Sequence, residues 1–347
     1  MKLSAKRGDV VLSNRQKLIL KAIIETYVTD GVPVGSKALT DKPYLNFSSA
    51  TLRYDMAALE ELGFLEKTHT SSGRIPSNLG YRYYVENLVT RDDDIKQLFP
   101  IIDQLFSEFE NNKEYAVKEA INLLSELTNY TSMVLGPNES FARIKKVDFI
   151  PLANHEAVIL IVTDKGHVQS ETVNLPEHLS LSDFKKIISS LNDLLENQLV
   201  KDAKRILKNA YTEENIIEYM EYQERIIDTF LNAFKQMSEE NIYLTGMGHM
   251  LVQPEFSDIN QLKELMYMLD RKELVKLVGH TNKLSVRIGR EGTYMPTDTC
   301  SIISVPYFVT EEDQGTIAII GPTRMDYSKV IPLMEYVAKN IAKLYKK

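Results

Sequence analysis

The feature that most constrains this sequence is a dense run of helix and turn signals between residues 13 and 76. Ser13-Asn14-Arg15-Gln16 fits the S-x-x-Q capping box, in which the two side chains satisfy orphan amides of a first helical turn. Leu20, Ile23, Ile24, Tyr27 and Val28 then recur with the period of one buried helical face, and Gly31 with Pro33 ends the run. A short second helix is expected from Ser36, as its cap, to about Asp41, with Pro43 barring extension. A third opens at Ser48-Ser49 and runs to Leu62, with Gly63 as its left-handed cap. Phe64 to Thr70 reads as a strand, Ser71-Ser72-Gly73-Arg74 as a tight turn and Ile75-Pro76 as the return. Ser77 can cap one more helix, which carries Tyr81, Tyr84, Val85 and Leu88. Three helices followed by a hairpin is the order of a winged helix-turn-helix.

The two sides of the third helix differ in kind. Leu52, Met56, Leu59 and Leu62 share the side that must face the first two helices. Ala50, Thr51, Tyr54, Ala57, Ala58 and Glu61 lie opposite, with Arg53 at the flank. Short residues permit close approach to a groove, whereas a merely solvated helix more commonly carries long charged ones there. In a helix-turn-helix this helix enters the major groove, about 12 Å wide, and the hairpin touches the neighbouring backbone. The formal net charge of −7 is unevenly spread: residues 1 to 85 hold 12 Lys and Arg against 8 Asp and Glu, leaving 29 against 40 for the rest. The basic quarter is the one that carries the helices just described.

At 347 residues the chain is too long for one ordinary core. The charged stretch Arg91-Asp92-Asp93-Asp94 marks a first boundary, and Ile95 to about Tyr130 is helical in pattern, with a break or a start at Pro100. Ala157 to Val162 is a buried-strand run, followed by a turn at Lys165-Gly166 and a strand from Val168 to Val173. Helices resume at Ser180 and continue to about Met237; strands return at Ser285 to Ile288, Cys300 to Phe308 and Gly315 to Ile320, and a helix closes the chain from Tyr327. The two β-rich blocks can belong to one domain interrupted by a mostly helical insertion. The fold class is therefore α+β and multidomain, with expected limits of 1–90, 91–196, 197–282 for the insertion, and 283–347.

Chemistry finds little foothold. No G-x-x-x-x-G-K-[ST] or G-x-S-x-G sequence occurs, and Gly246-Met247-Gly248 lacks the third glycine of a dinucleotide loop. The six histidines are scattered, and Cys300 is a lone cysteine in an apolar strand-like setting, so no metal site, cofactor or enzymatic activity is expected. The longest aliphatic run falls far short of the roughly 20 residues that cross a bilayer, and no leader opens the chain, so a cytoplasmic protein is expected.

Several stretches together resemble the HrcA family of bacterial heat-inducible transcription repressors. They are Leu12-Ser13-Asn14-Arg15-Gln16, Gly31-Val32-Pro33-Val34-Gly35-Ser36, Ser48-Ser49-Ala50-Thr51-Leu52-Arg53, Met56-Ala57-Ala58-Leu59-Glu60 and His69-Thr70-Ser71-Ser72-Gly73-Arg74-Ile75-Pro76 with Gly80-Tyr81-Arg82. Two more lie far along the chain: Gln253-Pro254-Glu255-Phe256-Ser257 and Gly321-Pro322-Thr323-Arg324-Met325-Asp326-Tyr327. The chain departs from the family pattern at Tyr54, where Asn is usual, and after Gly289, where Glu291-Gly292 stands in place of a pattern containing Asn.

The resemblance implies a dimeric repressor that binds an inverted-repeat operator called CIRCE, double-stranded DNA ahead of chaperone operons, and is kept active by the GroEL chaperonin. It implies a winged helix, a GAF-like domain and a dimerisation domain inserted in the latter. Candidate DNA contacts are Ser48, Ser49, Thr51, Arg53 and Tyr54 on the third helix and His69, Ser72 and Arg74 in the hairpin. Pattern alone serves a second reading of the helix equally, capped and solvated with Arg53 paired to Asp55 or Glu60, and for the hairpin it favours a plain polar turn over a DNA contact. Ile242, Leu244, Met247, Met250 and Leu251 are candidates for the homodimer contact, ordinary core packing being the other reading. The competing functional class is a regulator whose GAF-like domain senses a small molecule; a pure protein-interaction module would leave the short-chained face of the third helix unexplained.

Overall fold

The computed structural model describes residues 12–67, 73–90, 93–137, 142–176, 179–212, 228–230, 232–233, 242–269, 277–279, 281–290, 298–310 and 313–346, in a mixed α+β fold. α1 (Asn14–Asp30) starts with the capping box in place: Ser13 Oγ accepts from the Gln16 N–H at 3.2 Å and Gln16 Oε1 from the Ser13 N–H at 3.0 Å. It stops at Gly31, whose φ of +67° is left-handed and whose N–H donates to the Tyr27 carbonyl, a conformation glycine adopts without a Cβ penalty. α2 (Ser36–Thr40) is capped by Gly35, not by Ser36, which lies buried in the first turn with its hydroxyl turned toward the next helix. α3 (Ser49–Glu61) opens at Ser48, whose Oγ accepts from the Thr51 N–H at 3.1 Å. Leu52, Met56 and Leu59 are buried against the first two helices, each contributing about 1.5–3 kcal/mol of apolar burial.

β1 (Leu65–Lys67) and β2 (Arg74–Pro76) form an antiparallel hairpin with Leu65 opposite Pro76. Val34 adds a one-residue third strand, exchanging both backbone hydrogen bonds with Arg74 at 2.9 Å. Pairing with the segment between α1 and α2 ties the hairpin to the helices. α4 (Asn78–Asn87) is capped by Ser77, whose Oγ also donates to the Gly63 carbonyl at 2.6 Å. Gly80 is dictated by close approach, because a Cβ there would sit 2.2 Å from the Phe64 carbonyl oxygen.

A 3-10 turn (Asp93–Leu98) leads into α5 (Phe99–Glu108), where Pro100 occupies the first turn and forfeits no helical hydrogen bond. α6 (Lys113–Thr128) and β3 (Thr131–Leu135) follow. The chain then forms β4 (Ile144–Pro151), β5 (Glu156–Thr163), β6 (Val168–Asn174), α7 (Leu181–Leu195) and α8 (Val200–Thr212). Further along come β7 (Ile242–Thr245), α9 (Met247–Leu251), α10 (Ile259–Met268), β8 (Ser285–Ile288), β9 (Cys300–Phe308), β10 (Gln314–Pro322) and α11 (Tyr327–Lys346).

These elements divide into two compact units: Met1–Val134 with Tyr243–Tyr307 and Thr316–Lys347, and Leu135–Ile242 with Phe308–Gly315. The first holds α1 to α4, then α5 and α6 packed on α11, and most of a five-stranded sheet of order β7-β3-β10-β9-β8. The sheet is buried through Met133, Ile302, Ile303 and the continuous run Ile317 to Ile320. In the second unit, β4, β5 and β6 form an antiparallel sheet with Val147 opposite Ile161 and Ile159 opposite Glu171. Ala157, Ile159 and Ile161 face its core while Val158, Leu160 and Val162 are half-buried, so the apolar run is covered fully on one side only. α7 lays Phe184, Ile188, Leu191 and Leu195 on that sheet, and Val200, Ala203 and Leu207 of α8 join the same core. The limit expected at 196/197 thus falls within one hydrophobic core, and β7, expected inside the insertion, joins the sheet beside β3. The edges of the compact units lie at 134/135 and 242/243 instead.

Candidate nucleic-acid interface

Burying Leu52, Met56 and Leu59 turns the opposite side of α3 outward. Ala50, Tyr54 and Ala57 are exposed there, Tyr54 by 73%, and Thr51 and Ala58 border them half-buried. The hydroxyls of Ser48 and Thr51 lie 2.9 Å apart at the helix start, where backbone N–H groups and the dipole favour an anion. A strip of methyl groups around one tyrosine lets a helix backbone come close to base edges, where alanine and aromatic side chains can meet a thymine methyl. Lys37 on α2 and Lys67 at the end of β1 are exposed cations of the same region.

Three polar tethers fix α3. Arg15, in the first turn of α1, grips the carboxylate of Asp55 through Nε at 2.6 Å and Nη2 at 3.2 Å. Asp55 is 2% exposed, and its hydrogen bond and charge raise the Arg15 pKa further. Arg53 donates through Nε to Ser36 Oγ at 3.1 Å, and Ser36 Oγ lies 3.1 Å from Ser49 Oγ, linking α2 to the start of α3. Arg74 pairs with Glu60 at 2.6 Å and so holds the loop end of the hairpin's second strand against the end of α3. Arg53 therefore pairs with neither Asp55 nor Glu60, each of which has another partner. The sequence reading missed Arg15–Asp55, though a signal existed: Asp55 falls between Leu52 and Leu59 on the core-facing side, where a carboxylate requires a cation.

The structure brings Ser48, Ser49, Thr51, Arg53 and Tyr54 together at the start and on the first two turns of α3 and puts Arg74 opposite Lys67, at the loop end of the hairpin's paired strands. His69 and Ser72 lie outside the described residues, as do Glu291 and Gly292. Of the dimer candidates, Met250 is buried in its own chain, Ile242 and Leu244 are half-buried in β7, and Met247 and Leu251 are exposed beside Val252.

A groove of about 290 Å³ between α5 and α11 is lined by Asp103, Ser107, Tyr336, Asn340 and Lys343. Its Tyr336 hydroxyl lies 2.8 Å from both Asp103 carboxylate oxygens. Among the described residues no group of His, Cys, Asp and Glu is placed to hold a metal ion, and no helix is long and apolar enough to cross a membrane. Cys300 is fully buried, which pushes its thiol up to about 12.

Comparison with known proteins gives a consistent result. The family model described as "HrcA protein C terminal domain" matches residues 114–331. The chain is 50% identical over 336 residues to the heat-inducible transcription repressor HrcA of Acholeplasma laidlawii, covering 97% of this chain and 98% of that protein. It is 43% identical to the repressor of the same name from Onion yellows phytoplasma, covering 96% and 98%. The corresponding protein of Bacillus pumilus is 38% identical, covering 96% and 97%. Among solved structures, "Crystal structure of a hypothetical protein at 2.2 A resolution" is similar with a TM-score of 0.64 and 24% identity, covering 96% of this chain and 99% of that one, a likeness of fold.

Proposed function

The chain belongs to the HrcA family of heat-inducible transcription repressors, and from that premise we propose that it represses chaperone operons by seating α3 in the major groove of an inverted-repeat operator of the CIRCE type. Residues 12–90 are then a winged helix-turn-helix, with α3 as the recognition helix and the hairpin as the wing. The observation that carries this reading is the outer face of α3: short side chains around an exposed Tyr54, on a helix locked to its neighbours by Arg15–Asp55 and Arg74–Glu60. Ser48, Ser49 and Thr51 serve phosphate and Tyr54 serves base edges. Arg53 contributes at the flank, and His69 and Ser72 touch the backbone from the wing. Arg74 acts from the loop end of the wing's second strand, which it ties to α3.

An inverted repeat mirrors a twofold axis, so the active species is a homodimer with half-sites one or more helical turns apart, about 10.5 base pairs each. We read 135–242, the larger piece of the second compact unit, as the segment inserted into a GAF-like domain, since it carries a core of its own. Met247 and Leu251 can extend the dimer contact, whereas Met250 is occupied by its own core. The chaperonin GroEL keeps the repressor competent, so that unfolded protein competing for GroEL frees the operon, and the whole system works in the cytoplasm. Titration of purified protein against the inverted repeat and a scrambled duplex, with and without GroEL, tests the reading. Retarded cognate duplex and an active fraction that grows with GroEL are expected; equal retardation of both duplexes contradicts it. Calorimetry with candidate metabolites addresses the alternative, a small-molecule sensor using the GAF-like domain.

A further inference from the structure

The stretches 253–257 and 321–327, separated in sequence and unused by the DNA-facing helix, form one polar and aromatic cluster together with residues of α1 and α4. Arg324 donates through Nε to Glu255 and through Nη2 to Gln253 Oε1 at 3.3 Å, and both members of the ion pair are mostly buried. The turn that carries Arg324 is braced: the Thr323 N–H donates to the Thr299 carbonyl at 2.9 Å, and the Tyr327 hydroxyl lies 2.8 Å from the Thr323 carbonyl oxygen. The Tyr327 ring meets the Tyr81 ring of α4 at 6.3 Å between centroids. Two hydrogen bonds extend the seat along α4, from Arg82 Nη2 to the Val286 carbonyl at 3.2 Å and from Asn78 Nδ2 to the Asp298 carbonyl at 3.3 Å. α4 is in turn joined to α1, where the Tyr84 hydroxyl donates to Glu25 Oε1 at 3.5 Å.

A buried ion pair adds little net stability over an apolar pair of the same shape, but it tolerates few alternative arrangements, because moving either partner strands a charge. Placed on a turn that meets α4, which is itself joined to α1, such a pair restricts orientation more than it adds cohesion. We infer that Glu255 and Arg324 are positioning residues that fix the direction in which α1 and α4, and through them α3, are held on the five-stranded sheet. The inference rests on the proposed reading of α3 as the DNA-contacting helix of a dimer. A fixed direction matters only when two recognition helices must reach two half-sites at once, so the pair governs tolerance of half-site spacing and leaves the grip on a single half-site alone.

The test uses the full chain with Glu255→Gln and Arg324→Met combined, so that neither charge is stranded. Arg324→Lys, which keeps the charge but loses the fork, is the gentler variant. Fluorescence anisotropy is measured on a single half-site, on the inverted repeat at its cognate spacing, and on repeats with two base pairs added or removed; circular dichroism reports folding. The wild type should prefer the cognate spacing, and the double variant should lose about fivefold or more of that preference while binding the single half-site as the wild type does. Arg324→Lys should move the same way by less, and it decides the matter should the double variant not fold. Unchanged spacing preference in a folded variant overturns the inference, and so does loss of half-site binding with the fold intact. Failure of the wild type to distinguish the inverted repeat from scrambled duplex would instead overturn the reading of α3 on which the inference rests.

Discussion

Tyr54 stands on the outer face of α3 between Ala50 and Ala57, 73% exposed, and among the described residues no packing accounts for its ring. If that ring meets base edges, Tyr54→Ala should weaken binding to the cognate repeat by about 1–3 kcal/mol and leave scrambled duplex nearly unaffected. Competition titrations with the two duplexes measure the difference; equal loss on both would mean that Tyr54 meets only sugar and phosphate. At the other end of the chain, Cys300 carries a thiol that burial pushes up to about 12, so at pH 8 almost none is thiolate. Native protein should therefore resist iodoacetamide, and one equivalent should react after denaturation, as mass spectrometry can count. Its burial was legible in the sequence from the apolar neighbours of Cys300. The Arg15–Asp55 pair was not, because its partners are 40 positions apart and only the inward-facing place of Asp55 hints that a cation must arrive from elsewhere.

Elements whose signals are local were read nearly as they stand. The capping serines at 13, 48, 77 and 180 all accept the expected amide, since a cap depends on three or four consecutive residues. α2 shows the limit of such reading. Ser36 has the chemistry of a cap, yet its hydroxyl serves Ser49 and Arg53, a contact set by the packing of α2 on α3. Val34 is a similar case, for nothing near it announces a bridge to Arg74. The junction of β1 with α4 is tight enough for a direct test. Gly80→Ala would push a methyl group onto the Phe64 carbonyl, separating α4 from the hairpin at a cost of about 2–4 kcal/mol. The melting temperature of the variant measures this, and an unchanged value would show that α4 can shift without strain.

At the scale of the whole chain, the α+β class was visible in sequence, but the grouping of the strands was not: β4, β5 and β6 form a sheet of their own, and β8, β9 and β10 belong to another with β3 and β7, so the two β-rich blocks do not make one interrupted domain. β7 pairs beside β3 across more than a hundred residues, and Leu195 shares a core with Val200 across the limit that the helical pattern set at 196/197. Charge is partitioned more simply, with the cation excess in the quarter that holds α3 and the acidic excess elsewhere. That partition directs a polyanion toward one end of an acidic protein, and binding should weaken as salt displaces phosphate contacts. The central claim is that the outer face of α3 enters the groove, and Ala57→Glu tests it, because the residue is exposed and a glutamate there costs the helix only tenths of a kcal/mol. Anisotropy titrations of the wild type and this variant against cognate and scrambled duplex, repeated at two salt concentrations, give the decisive comparison. The wild type should prefer its cognate duplex by about a thousandfold or more and lose affinity with salt, while the variant keeps its melting temperature and loses that preference. A variant that binds the cognate duplex as tightly as the wild type would contradict the account.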